Sequence, residues 1–244
     1  MTAHSSIRKV DAVPRRLKRI LCAHLVGGLT LLTALAAPVH AQGLDEATLS
    51  TLAEQQARAS FPMLRELLSI PNVASYPADI EGNMRWCETE FAKRGFTLER
   101  IETPAIPLLL AERQVLGAEK TVLIYLQIDG QPVDPSAWFQ ADPFEPTLKR
   151  RNALGEWQAL EWSAIENYDD EMRVFARSAS DAKGPVAMFL AALDGIAGEG
   201  LAPNFNMKII MDFEEELGSP RLPQAVMDNR ERLAADMLVI FDGP

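Results

Sequence analysis

Three segments of this chain are apolar almost throughout: residues 121–126 (Thr-Val-Leu-Ile-Tyr-Leu), 206–213 and 237–241 (Met-Leu-Val-Ile-Phe). They have strand length and lack the strict alternation of a strand with one wet face. Such strands need cover on both faces, which is how parallel sheets are buried. Helical patterns lie between and around them. Residues 44–70 carry Leu49, Leu52, Phe61, Leu64, Leu67 and Leu68 at helical spacing, and Pro71 closes the run. Residues 79–94 read as a second amphipathic helix with Gly95 as its C-cap, 186–196 as a third, and 222–233 as a fourth. Residues 96–101 alternate like a half-buried strand, and 106–111 suit another, with Pro104 and Pro107 placing it near an edge. Residues 131–146 form a loop rich in Pro and Asp, and the acidic, aromatic stretch 156–171 has no clear period. Alternating strands and helices predict an α/β layered domain with a central, mostly parallel sheet flanked by helices.

The N-terminus predicts a different fate. Arg15, Arg16, Lys18 and Arg19 precede an apolar run over 20–37, interrupted by His24, Thr30 and Thr33, and Val39-His40-Ala41 gives a small-x-small exit. The run sits at the lower edge of spanning length, and the small-residue exit favours cleavage over a membrane anchor. The expected organisation is a signal peptide over 1–41 and a mature chain over 42–244, exported to the periplasm or secreted. Cleavage would leave 18 basic against 33 acidic side chains, a formal charge of −15. That balance argues against nucleic acid and against an anionic membrane surface once the signal is gone. It suits metal cations or cationic substrates, and solubility alone also accounts for it.

All three histidines (His4, His24, His40) and Cys22 would leave with the signal, so Cys87 is the lone mature thiol. A Ser-His-Asp triad, a Cys-His pair, imidazole-dependent zinc sites and an intrachain disulfide are thereby excluded from the mature chain.

Each apolar strand ends in acid: Asp129 after the first, Glu214-Glu215-Glu216 after the second, Asp242 after the third. Asp181 opens the third helix. Ligands of open α/β sheets bind beyond the carboxyl ends of the strands. If the strands are parallel neighbours, these carboxylates meet in one crevice, where repulsion asks for a cation or shared protons. Singly, each has an ordinary explanation: Asp181 as an N-cap, the glutamates as a solvated first turn, Asp129 and Asp242 as turn formers. Their joint placement points to a metal site.

Four stretches carry a resemblance further. The first runs from Val122 through Gln127-Ile128-Asp129-Gly130-Gln131-Pro132 to Pro146. The second is Arg173 to Pro185, with Ser180-Asp181-Ala182-Lys183-Gly184. The third is Lys208 to Ser219, with Glu214-Glu215-Glu216. The fourth is Ala235 to Asp242. In this order they resemble the carnosinase and dipeptidase-like zinc metallopeptidases, relatives of aminoacylase, acetylornithine deacetylase and the glutamate-releasing carboxypeptidases. The resemblance implies a zinc-peptidase catalytic domain of phosphorylase/hydrolase-like fold, two zinc ions, and a small peptide or N-acyl amino acid as substrate. It implies Asp181 as the carboxylate bridging the zincs, Glu216 and Asp242 as ligands to one each, Glu215 as general base, and Asp129 as the aspartate orienting the first-motif histidine.

The departures matter. Gln127, a candidate metal residue by position, stands where the family's first motif has its zinc-binding histidine, and its neutral amide oxygen is a poor zinc ligand; Ala176 and Ser178 replace glycines in the second. The smaller inserted domain, which pairs subunits, and the last histidine ligand would follow Asp242. The 244 residues are therefore expected to be an incomplete and inactive hydrolase fragment, with a homodimer expected only where that domain is present. The remaining oxygen donors would favour magnesium, manganese or calcium over zinc, or no metal. The competing expectation is a non-catalytic exported binding or remnant protein that keeps the fold.

Overall fold

The computed structural model describes residues 44–242 and the pair 39–40; the expected signal peptide otherwise lies outside the described residues. Val39–His40 (β1) pairs in parallel with Leu201–Ala202 (β8). Helix α1 spans Glu46–Leu68, with Asp45 accepting from the Thr48 N–H at its start, and α2 spans Pro77–Lys93. Strands β2 (Thr97–Ile101), β3 (Leu108–Arg113) and β4 (Lys120–Gln127) follow. Then come β5 (Thr147–Arg151), β6 (Trp157–Leu160) and β7 (Met172–Phe175). The chain continues through α3 (Lys183–Gly198), β8, β9 (Phe205–Asp212), α4 (Leu222–Asp228) and β10 (Met237–Ile240). Among the described residues, no helix is long and apolar enough to cross a membrane.

The central sheet has the order β10-β4-β9-β3-β2. β10, β4 and β9 are parallel neighbours, β3 runs against β9, and β2 runs against β3, so only β3 opposes the common direction. The mixed α/β architecture with a mostly parallel sheet matches the sequence expectation. β3 departs from it by pairing on both sides, leaving β2 on the edge. Its prolines sit before the strand, where they cost no ladder bond. The unplaced acidic stretch supplies β6 and a 3-10 turn over Trp162–Asn167, with β6 joining β5 and β7 in a small antiparallel sheet. The fourth helix ends early, at Asp228.

One face of the central sheet is well covered. Leu67, Ile80, Met84, Phe91, Phe189 and Leu190 from the first three helices pack on Ile124, Leu126, Ile209 and Met211. The other face is covered more thinly, by Ala225 and Leu233 over Leu108, Leu110 and Ile210, leaving Leu123 and Tyr125 partly buried. Each fully buried large apolar side chain contributes about 1.5–3 kcal/mol, so the helical face holds most of the stability.

Two polar anchors tie these layers together. Arg94 after α2 bridges Glu90 at 2.8 Å and Asp194 of α3 at 2.5 Å. Lys183, fully buried at the start of α3, donates to the Leu67 carbonyl at 2.9 Å and to that of Ile70. Those carbonyls lie in the last turn of α1 and just beyond it, where the helix leaves acceptors without intrahelical partners. Burial pushes the Lys183 ammonium down to about 7, with Cys87 and Asp79 pulling the other way.

Two outcomes are expected. The unfolded lysine keeps its proton up to about pH 10.4 while the folded one releases it near 7, so unfolding takes up a proton between those values. The stability of wild type relative to Lys183→Met should therefore rise between about pH 7 and 8.5, by at most about 1.4 kcal/mol per unit, measured by urea titration. β10 is an edge strand with Met237, Leu238 and Ile240 exposed, an arrangement that invites strand pairing between copies. Ile240→Lys should reduce concentration-dependent association in sedimentation velocity.

Candidate active site

Parallel register brings the acids together. β4 pairs residue by residue with β9, setting Gln127 beside Asp212, and with β10 through Tyr125 opposite Ile240. Continuing that register by two residues lays Asp242 beside Gln127, and the contact is made: Gln127 Nε2 donates to Asp242 Oδ1 at 2.6 Å. The same amide reaches Asp181 Oδ1 at 3.4 Å. Gln131, four residues on, donates from Nε2 to Glu216 Oε2 at 2.9 Å.

Asp129 is buried and accepts two backbone N–H groups, Glu215 to Oδ1 at 3.2 Å and Glu216 to Oδ2 at 3.1 Å. With no imidazole to orient, its carboxylate orients the glutamate turn instead. Burial pushes its pKa up to about 7; the Glu216 N–H opposes that and the Asp212 charge adds to it. Glu215 opens a 3-10 turn closed by Gly218 at φ 83°. Its carboxyl is raised by burial and by the charges of Glu216, Asp242, Asp181 and Asp212. Asp181 is raised by burial and by Glu216 and Asp242, with Arg177 opposing. These mutual shifts are the electrostatic signature of convergence. Asp181 is not a cap: Ala182 is the N-cap residue of α3, and the peptide between them is cis.

Sequence reasoning missed the supports. Asn72, fully buried, donates from Nδ2 to the Ile128 carbonyl at 2.7 Å and to Ser178 Oγ at 2.9 Å, while its own carbonyl accepts from the Gly130 N–H at 2.8 Å. Asn83 clamps the Pro71 carbonyl at 2.7 Å. Gly130 has no room for a side chain, since a Cβ there would lie 2.6 Å from Ser178 Oγ. Ser178 itself sits at φ 59°, in the left-handed region that a glycine would occupy without cost. Asp212 is buried too, accepting from Tyr125 Oη at 3.3 Å and the Glu214 N–H at 3.0 Å. Glu214 is held by Arg221 at 2.7 Å, which leaves Glu215 and Glu216 as the glutamates facing the other acids. Only an Asn or Lys signal inside an otherwise apolar neighbourhood could have flagged Asn72 and Lys183.

Among the described residues, no three His, Cys, Asp or Glu side chains stand in an arrangement that would hold a metal ion. The donor set does not fit a zinc pair. It offers no imidazole, and Gln127 presents its amino group, not its oxygen, to Asp181 and Asp242. The Gln127 Oε1 is buried without a partner. An open cavity of about 730 Å3 lies elsewhere, lined by Arg58, Phe61, Arg65 and Trp162 among others and by none of these acids.

Comparison with known proteins bears on the family and the fold. The Cys-Gly metallodipeptidase dug1 of Schizosaccharomyces pombe is 28% identical over 199 residues, covering 73% of this chain and 37% of that protein. A cysteinylglycine-S-conjugate dipeptidase of Corynebacterium striatum is 28% identical over 188 residues, covering 75% and 36%. Among solved structures, the M20 family metallo-carboxypeptidase Sso-CP2 of Sulfolobus solfataricus aligns with a TM-score of 0.59 at 28% identity, over 75% of this chain and 37% of that one. Human carnosine dipeptidase 1 shares the fold with a TM-score of 0.64 at 22% identity, over 80% and 40%. The chain thus spans little more than a third of the length of the curated relatives it matches. The sequence profile of Peptidase family M20/M25/M40 matches residues 123–244, the half that holds all four acidic motifs, and the chain belongs to that family.

Proposed function

We propose that this is an exported protein whose residues 42–244 form the N-terminal part of a catalytic domain hydrolysing peptide or amide bonds, of exopeptidase or dipeptidase type. The observation that carries it is the meeting of Asp181 and Asp242 at the Gln127 amide and of Glu216 at Gln131, with Glu215 in the same turn, beyond the ends of parallel strands in a member of this family. Dipeptidase relatives support a small peptide substrate, and an N-acyl amino acid has the same amide chemistry. The basic segment, apolar run and small-residue exit support export.

Glu215 is the general base. Its raised carboxyl holds a proton more readily than an ordinary glutamate, which suits a group that takes one from an attacking water and returns it to the leaving amine. Backbone bonds to Asp129 fix the turn that presents it. The surrounding acids favour a positively charged group on the substrate. By resemblance the family uses two zinc ions; the oxygen donors found here suit magnesium or manganese better, and no step is assigned to a metal.

These residues alone are proposed to be inactive. A second reading, a non-catalytic exported protein that keeps the fold, is favoured by the Gln127 amide lying between two acids.

The protein purified from the 244-residue sequence should carry fewer than two zinc ions by elemental analysis and show no turnover of dipeptides or N-acyl amino acids. Two zinc ions per chain with turnover, lost by about 100-fold or more in Glu215→Gln, would overturn the inactivity and establish the base. Any such turnover should fall as pH drops through a value above the ordinary glutamate pKa of about 4.3, because Glu215 then becomes protonated. Binding of a small peptide without turnover would favour the second reading.

A further inference from the structure

We propose that two glutamine carboxamides, Gln127 and Gln131, take the place of a cation in this crevice, so that each of the three acids expected to hold metal is given an amide hydrogen-bond donor instead. Each of those acids is touched by an amide amino group. Gln127 Nε2 serves Asp242 at 2.6 Å and Asp181 at 3.4 Å, and Gln131 Nε2 serves Glu216 at 2.9 Å. Gln127 is the last residue of β4 and Gln131 lies in the segment that follows it, two residues either side of Asp129.

The orientation of the Gln127 amide is forced by its neighbours. Ionised carboxylates only accept hydrogen bonds, so the amino end must face them; turned around, Oε1 would set three acceptors against each other. The observed arrangement leaves Oε1 buried without a partner, in a side chain only 3% exposed. An orphaned buried acceptor is unfavourable, and it is tolerated here because the amino end relieves the repulsion between two acids.

Zinc is thereby disfavoured. An amide nitrogen has no lone pair to donate, so a metal entering between Asp181 and Asp242 must first expel or invert Gln127 and break both of its bonds. Inversion would turn Oε1 into a ligand, which suits a hard cation better than zinc. This inference goes beyond the hydrolase reading and does not use turnover, so either can fail while the other stands.

The test is titration of the processed protein, residues 42–244, with zinc, manganese and calcium, followed by calorimetry and thermal melting, for wild type, Gln127→Leu and Gln127→His. Wild type should show no zinc-dependent rise in Tm. Gln127→Leu should melt several degrees lower, and manganese or calcium should restore the loss, because the acids then need a cation. Gln127→His, which returns the residue of the family's first motif, should bind zinc at least about tenfold more tightly than wild type. Zinc binding by wild type that Gln127→Leu abolishes would overturn the proposal and make Gln127 a ligand through Oε1. An unchanged Tm in Gln127→Leu, with no response to cations, would also overturn it. Should Gln127→His fail to fold, the other two proteins still decide.

Discussion

The parallel pairing of β4 between β9 and β10 is the constraint from which the rest of the molecule follows. Parallel strands must be reached by crossovers, and the crossovers here carry α3 and α4, while α1 and α2 come before the sheet in the chain and complete the cover of one face. Because the strands share a direction, their carboxyl ends share an edge. Acids that are far apart in sequence are then forced together, and the Coulomb cost must be met locally. The structure meets it with amide donors on one side and backbone N–H groups on the other.

That edge is held from beneath by buried polar groups rather than by apolar packing alone. Lys183 joins the start of α3 to the end of α1, two residues after Asp181. Asn72 joins the segment after α1 to the end of β4 and to Ser178, in the loop that leads to Asp181. Asp129 joins β4 to the glutamate turn after β9. These three residues are nearly or fully inaccessible to solvent, and each adds a side-chain bond between segments far apart in sequence. Paired groups of this kind help to fix one arrangement, and among these three the Asn72 Oδ1 is the atom left buried without a partner.

Apolar runs made the strands legible in the sequence, and their acidic ends made the crevice legible. The helices were legible from spacing. What escaped notice has a common physical character. β5 and β7 are short and interleave Lys149, Arg150, Arg151 and Arg173 with their few apolar residues, so no apolar period marks them. Asn72 and Lys183 look like surface residues by type, and only the three-dimensional meeting of a helix end with a loop gives them a buried task. Asp129 was identified as an orienting group, but its partners are backbone N–H groups, which carry no residue identity. The Gln127 substitution was visible, yet the direction of its amide depends on Asp181 and Asp242 standing on either side.

The hydrogen bonds that define the crevice join residues 54, 85, 86, 87 and 115 positions apart. No hairpin or single helix contains any of them. Nothing local holds these residues together, so the crevice exists only once the sheet has brought its strands side by side. Until then the acids stay dispersed along a solvated chain, each with an ordinary affinity for protons, and their collective field exists only in the native state.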